Sequence, residues 1–273
     1  METRAGAAAV HYVEHGASRP VLVLHGAGVD HREDEACFEP VFGGVAGFRR
    51  IYPDLPGMGQ TVAPDELRSA EDVLDTLLDF AAQVTEGAPY LLIGHSAGAY
   101  YAQAMAARAP EPVAGLALVC PLLSSVRDVP EHRVVVGSGE IGNDEFRSYF
   151  VVHSPKMLER YERYVAPAAA LIDHAALERI GERWELAPNP GPAYVGPTLI
   201  VAGRLDSVVG YAAPADLVHL YPHARSLWSM TRATRCPTSS RTSCARSSQY
   251  GSSASRARPD AHPGLDAPSL WTR

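Results

Sequence analysis

Gly94-His95-Ser96-Ala97-Gly98 is the stretch on which the fold turns. The residues before it, Ala88-Pro89-Tyr90-Leu91-Leu92-Ile93, form a short apolar run opened by proline, the pattern of a buried strand. The residues after it, Ala99 to Arg108, are alanine-rich and strongly helix-forming. A G-x-S-x-G pentapeptide between a strand and a helix is the setting of a nucleophile elbow. Such a turn is tight enough to need small residues on either side of the serine. The serine then projects from the strand end, where the next backbone N–H and the helix N-terminus face any developing oxyanion.

Working outward, Pro20-Val21-Leu22-Val23-Leu24-His25-Gly26 is a continuous apolar run ending in glycine, as in a strand covered on both faces of a parallel sheet. His25-Gly26-Ala27-Gly28 follows at its C-terminal end, where open α/β sheets place ligands. Ala7 to Gly16 alternates in part and reads as an outer strand. Arg50-Ile51-Tyr52-Pro53 leads into the turn Asp54-Leu55-Pro56-Gly57-Met58-Gly59, where Asp54 reads as a turn former. Ser69 is the expected N-cap of a helix reaching Gln83, with acids in the first turn and Val73, Leu74, Leu77, Leu78 and Ala81 on its apolar side. Val113 to Cys120 and Pro197 to Asp206 supply two more strands, and Pro214–Leu220 a short helix. Between those strands lie amphipathic segments at Asn143–Val152, Pro155–Val165 and Ala168–Trp184, read as an inserted helical cap over about 121–192. The alternation of strand and helix implies an α/β fold with a mostly parallel sheet.

Composition bounds the function. A chain of 273 residues can bury one large core, and its net charge of −7 argues against a nucleic-acid partner. No apolar run approaches the ~18 residues of a membrane span, and no secretory leader is expected at Met1–Gly6. Cys37, Cys120, Cys236 and Cys244 lack metal-ligand spacing and are expected as reduced thiols in a cytoplasmic protein. No cofactor and no metal ion are expected.

Four motifs in order, His25-Gly26, Asp54-Leu55-Pro56-Gly57-Met58-Gly59, Gly94-His95-Ser96-Ala97-Gly98 and Gly203-Arg204-Leu205-Asp206, resemble the α/β-hydrolase family in its cap-bearing, esterase-like branch. The resemblance spans residues 7 to 225 and implies the α/β-hydrolase fold. It implies Ser96 as nucleophile, Asp206 as the acid that orients a histidine, and the backbone N–H groups of Ala97 and Ala27 as oxyanion hole. It assigns His25 and His95 to shaping their loops. A serine at the elbow separates the chain from the dehalogenases and epoxide hydrolases, where the resemblance would require aspartate.

The chain departs from the pattern after about residue 225. The order Ser, acid, His calls for a last strand and a Gly-His turn, but Ser226-Leu227-Trp228-Ser229-Met230-Thr231-Arg232-Ala233-Thr234 stands there instead. Residues 226–273 hold 11 serines and 7 arginines against Asp260 and Asp266, a net +5 that leaves −12 for the rest. A segment so polar is expected to form a disordered tail beyond a 1–225 hydrolase domain. A frameshift offers a sharper explanation. Read one base earlier with GC-rich wobble bases, the codons can spell FAVVDDAGHALPHEQPDLLRALVA: a strand, a Gly-His turn and an amphipathic helix. The histidine would then fall near Thr234. His219, His223 and His262 are the other imidazoles in this part of the chain.

The expected function is therefore a serine hydrolase acting on a small ester or acyl substrate, impaired by loss of its histidine. The alternatives are a catalytically dead hydrolase-fold binding protein and a non-functional frameshifted product. Esterase, thioesterase, C–C hydrolase, perhydrolase and acyltransferase chemistries share these motifs. Tyr149, Phe150, Tyr161, Tyr164 and Trp184 are candidates for a pocket lining or for the cap's own core.

Overall fold

A computed structural model describes residues 1–124, 128–137, 140–188 and 193–229. Among the described residues eight strands form one sheet: β1 (Glu2–Ala5), β2 (Ala8–Gly16), β3 (Arg19–Leu24), β4 (Phe48–Pro53), β5 (Tyr90–His95), β6 (Val113–Val119), β7 (Thr198–Gly203) and β8 (Ala224–Ser229). Their order across the sheet is β1-β2-β4-β3-β5-β6-β7-β8. The β1–β2 and β2–β4 pairs are antiparallel, and every pair from β4 through β3 to β8 is parallel. This is the α/β-hydrolase fold that the motifs imply.

The helices are α1 (His31–Phe42), α2 (Ala70–Thr85), α3 (Ala97–Arg108), α4 (Asp144–Tyr149), α5 (Pro155–Arg160), α6 (Ala166–Ala169), α7 (His174–Gly181) and α8 (Ala212–Asp216). Ser69 caps α2 as expected, its hydroxyl accepting from the Asp72 N–H, and the helix runs two residues past Gln83. Its apolar side and that of α3 pack on the sheet face carrying Leu22, Leu24, Leu92, Leu116, Leu118 and Ile200. Phe38 and Phe42 of α1 cover the opposite face over Val21, Val23 and Tyr52. Helices α4 to α7 lie between β6 and β7, with a π-helical turn at Tyr161–Val165. Helices α4 to α6 and that turn enclose a separate small core of Phe146, Phe150, Met157, Tyr161, Val165 and Ala168, which Val29 joins from the loop after β3, whereas Ala176, Leu177 and Ile180 of α7 join the main core.

Two expectations shift. The outermost strand on the N-terminal side is β1, not the Ala7–Gly16 segment, because β2 is paired on both sides. Residues 226–229, expected in the tail, form the end of β8, with Ser226 opposite Ile200 and Leu227 opposite Val201. The ladder to β7 carries the strand through the serines that flank Leu227 and Trp228. The rest of the expected tail, and Thr234 with it, lies outside the described residues, as does His262.

Candidate active site

Ser96 joins β5 directly to α3 with φ 52° and ψ −115°, a conformation that costs a non-glycine residue on the order of 1–3 kcal/mol. The surroundings impose it. The Ser96 N–H donates to Val119 O (2.9 Å), and its own carbonyl accepts from Leu122 N (3.1 Å) as well as from Ala99 N (3.0 Å). A Cβ on Gly98 would come within 3.0 Å of the Leu24 and His25 carbonyls, and one on Gly94 within 3.0 Å of the Gly98 carbonyl. The small residues of the pentapeptide are thus required by the crossing of α3 over β3. Ala97 is the first residue of α3, so its N–H has no acceptor in a preceding helical turn.

The loop after β3 meets the elbow at Gly26, whose missing Cβ would stand 3.3 Å from Ser96 Cβ and 3.5 Å from His95 Nδ1. Ala27 is the next residue, half-buried against the main core. His25 holds this loop. Its Nδ1 lies 2.7 Å from Gly26 O, and its Nε2 accepts from the Leu55 N–H at 2.9 Å. With one nitrogen on each partner, the ring is a strut between the loop and the Asp54–Gly59 turn. His95 turns away from the elbow toward α1, with Nδ1 3.2 Å from Asp34 Oδ1.

Asp206 is fully buried in the turn after β7. Its Oδ1 accepts from Val208 N (3.0 Å) and Val209 N (2.9 Å). It therefore stands at the same edge of the sheet as Ser96, two strands over, with β6 between. At about 4.8 Å per strand, that is a separation on the order of 10 Å, room for an intervening group. His223 is at the other end: it precedes β8, and its Nδ1 lies 2.7 Å from Val195 O, ahead of β7. The parallel pairing of β7 and β8 keeps it away from the Ser96 edge. His219 belongs to a 3₁₀ turn after α8.

A polar cluster under the inserted helices escaped the sequence reading. Glu33 on α1 is fully buried and accepts from the Tyr149 hydroxyl of α4 at 2.8 Å. Burial pushes its pKa up to about 7; the adjacent Asp34 charge adds to the rise, while His95, Tyr149 and Arg160 work against it. Arg160 of α5 donates to Glu33 O (3.1 Å) and contacts Cys37 Sγ. Acids in a helix's first turn are ordinary dipole partners, so their sequence carried no sign that two of them point inward. A second cluster surrounds Asp54. Its Oδ1 accepts from the His31 N–H (3.0 Å) and lies 2.7 Å from His31 Nδ1; its Oδ2 accepts from the Gln60 N–H (2.9 Å) and lies 2.9 Å from His11 Nδ1. Burial opposes ionisation of Asp54, but the His31 hydrogen bond, the nearby imidazoles and the Gln60 N–H outweigh it and hold the carboxyl below its usual range. Asp54 is a turn former, as read, with two imidazoles added.

Of the aromatic candidates, Phe150 and Tyr161 belong to the core of the insertion, and Trp184 packs on Tyr100 at 5.8 Å. An open groove of about 810 Å³ runs along α3 past Tyr100, Gln103, Ala104, Leu186 and Leu217. Ser96 and Asp206 are not among its lining residues, so it is not where the elbow would meet a substrate.

A profile described as "Alpha/beta hydrolase family" matches residues 21–241. No sequence among curated proteins matches. Several solved structures share the fold. An alpha/beta superfamily hydrolase from Oenococcus oeni PSU-1 is 23% identical with a TM-score of 0.77, covering 86% of this chain and 91% of that one. A thermophilic esterase from Thermogutta terrifontis is 21% identical with a TM-score of 0.60, over 86% and 91%. A meta-cleavage product hydrolase from Pseudomonas fluorescens IP01 is 21% identical with a TM-score of 0.54, over 86% and 89%.

Proposed function

The chain belongs to the α/β hydrolase family, and on that premise we propose that it descends from, and retains the core of, a serine hydrolase acting on small ester or acyl substrates. The observation that carries the reading is the strained Ser96 at the β5–α3 junction, held at φ 52° by its neighbours. In this reading the Ser96 hydroxyl attacks the acyl carbon, and the N–H groups of Ala97 and Ala27 receive the oxyanion. Asp206, fixed by the Val208 and Val209 N–H groups, orients a histidine that takes the serine proton and passes it to the leaving group. Helices α4 to α7 act as a cap that excludes water and selects the acyl group.

That histidine has no counterpart at Thr234 in this sequence. A hydroxyl without its base is a poor nucleophile, and losing a triad member costs on the order of 10⁴–10⁶ in rate. The proposal therefore has two arms. The present chain hydrolyses p-nitrophenyl acetate and butyrate weakly. A chain in which the codons after residue 225 are read one base earlier hydrolyses them faster by several orders of magnitude, and Ser96→Ala abolishes the gain. A restored chain with an intact fold and no turnover overturns the reading. The absent histidine also favours a second reading, a binding protein of hydrolase fold: tight retention of an acyl ligand by the present chain, unaffected by Ser96→Ala, would identify it. Sequencing the gene across codon 225 tests the frameshift itself.

A further inference from the structure

We propose that His11, His31 and Asp54 form a binding site for a divalent first-row transition metal of the zinc class. Their ligating atoms all lie within 4.8 Å of one another, and all three residues are buried. The donors come from three elements: β2 supplies His11, the first residue of α1 supplies His31, and the residue after β4 supplies Asp54. Both imidazoles aim Nδ1 at the same carboxylate, at 2.9 and 2.7 Å.

The carboxylate is fixed before any ion arrives. Each oxygen accepts one backbone N–H, from His31 and from Gln60, so the group cannot rotate about its bond. The turn also wraps it closely. Gly59 has φ 58°, and a Cβ there would fall within 3.0 Å of the Asp54 carboxyl. Hydrogen bonds of this kind to a ligating carboxylate are what orient metal ligands in established sites. The His11 and His31 side chains keep 11% and 9% of their surface, whereas the Asp54 side chain between them keeps none.

Two imidazoles and one carboxylate suit zinc, cobalt or nickel, whereas calcium and magnesium prefer all-oxygen shells. Three protein donors leave a fourth tetrahedral position for water. Bonds of ~2.0–2.1 Å imply donor separations of about 3.3 Å, so each Nδ1 would part from its carboxylate oxygen by about half an ångström. The ion takes the place of the two Nδ1–H···O hydrogen bonds. Each neutral imidazole then carries its proton on Nε2, any second proton is released to solvent, and no redox change is involved. Asp54 lies 43 residues from His11 and 23 from His31 in sequence, so the site has no local spacing to betray it. The expectation of no metal rested on local spacing of that kind.

The test uses the full chain and zinc sulfate, read by competition with a chromogenic chelator. One equivalent is expected to bind, and His11→Ala and His31→Gln should each weaken it at least about tenfold. His31→Gln retains a hydrogen-bond donor to Asp54, which guards against a folding defect, and circular dichroism checks that each variant is folded. His15→Ala, which removes an imidazole paired with Glu35, should leave affinity unchanged. Cobalt in the unsubstituted chain should give the intense visible bands of a four-coordinate ion. Zinc bound equally well by the folded His11→Ala and His31→Gln variants, no zinc bound at all, or the weak bands of octahedral cobalt would each overturn the proposal and leave a hydrogen-bonded His–Asp–His clamp.

Discussion

The two faces of the sheet are built differently. On the face under α2 and α3, Leu22, Leu24, Leu92 and Leu118 are 0% exposed and belong to the main apolar core. On the other face α1 packs mainly over β3 and β4 and reaches β2 through Glu35–His15 and β5 through Asp34–His95. Farther along, Leu91, Ile93, Ala117, Leu199 and Val201 are half-buried, and Leu227 on β8 is 46% exposed. The same face carries the titratable groups: His95 at the end of β5, answered by Asp34 and Glu33 from α1. The first face holds the elbow's framework rigid. The second carries the buried group of Glu33, Asp34 and His95.

The largest test of this contrast compares adjacent residues of β5. Leu92→Ala removes a fully buried side chain and is expected to cost about 2–5 kcal/mol in denaturant unfolding. Leu91→Ala, one residue away on the half-buried face, is expected to cost about half as much or less, since burial scales with the area removed from water. Equal costs would show that the second face is as tightly covered in solution as the first.

Next in size is the buried Glu33. Its carboxyl titrates near pH 7 in the folded chain against 4.5 when free, because burial disfavours its charge. Between those values the folded chain holds a proton that the unfolded chain has lost. Stability from this group therefore falls as pH rises from about 4.5 to 7 and is level above, by up to about 3 kcal/mol at 1.4 kcal/mol per unit. Unfolding titrations at pH 5 and 7.5 measure it. Glu33→Gln keeps an acceptor for the Tyr149 hydroxyl and should flatten that part of the profile. An unchanged slope in Glu33→Gln would move the titration elsewhere.

The same two faces explain what the sequence revealed. The elbow was legible because the small residues that its contacts demand at Gly94 and Gly98 stand within one pentapeptide, although Gly98 is confined by Leu24 and His25 across the sheet. The α2 helix was legible because Ser69 caps it and its apolar residues recur on one side. Helix α1 was not, because its inward side includes Glu33 and Asp34 and it contains Pro40. Its acids meet residues 60 or more positions away, such as His95 and Tyr149, which no window of sequence contains. The convergence of His11 and His31 on Asp54 was hidden for the same reason. Asp206 was recognisable from its motif, but its orienting N–H donors follow from the turn geometry alone. Only the end of β8, residues 226–229, was assigned to the tail, because Ser226 and Ser229 have little strand preference; pairing with β7 carries the strand through them.

The smallest expected effect lies at that far edge. Leu227 pairs with Val201 on the half-covered face and leaves 46% of its surface exposed. A surface substitution of this kind usually moves stability by no more than about 0.5 kcal/mol, so Leu227→Ser should unfold in denaturant almost as the parent does. The side chain is also part of an apolar row with Val201 and Leu199, the kind of patch that drives association. Light scattering on concentrated samples should therefore show Leu227→Ser to be less prone to associate at unchanged stability. A loss of 1.5 kcal/mol or more would show instead that Leu227 is covered in solution, which would make the two faces alike at their outer edge and remove the contrast there.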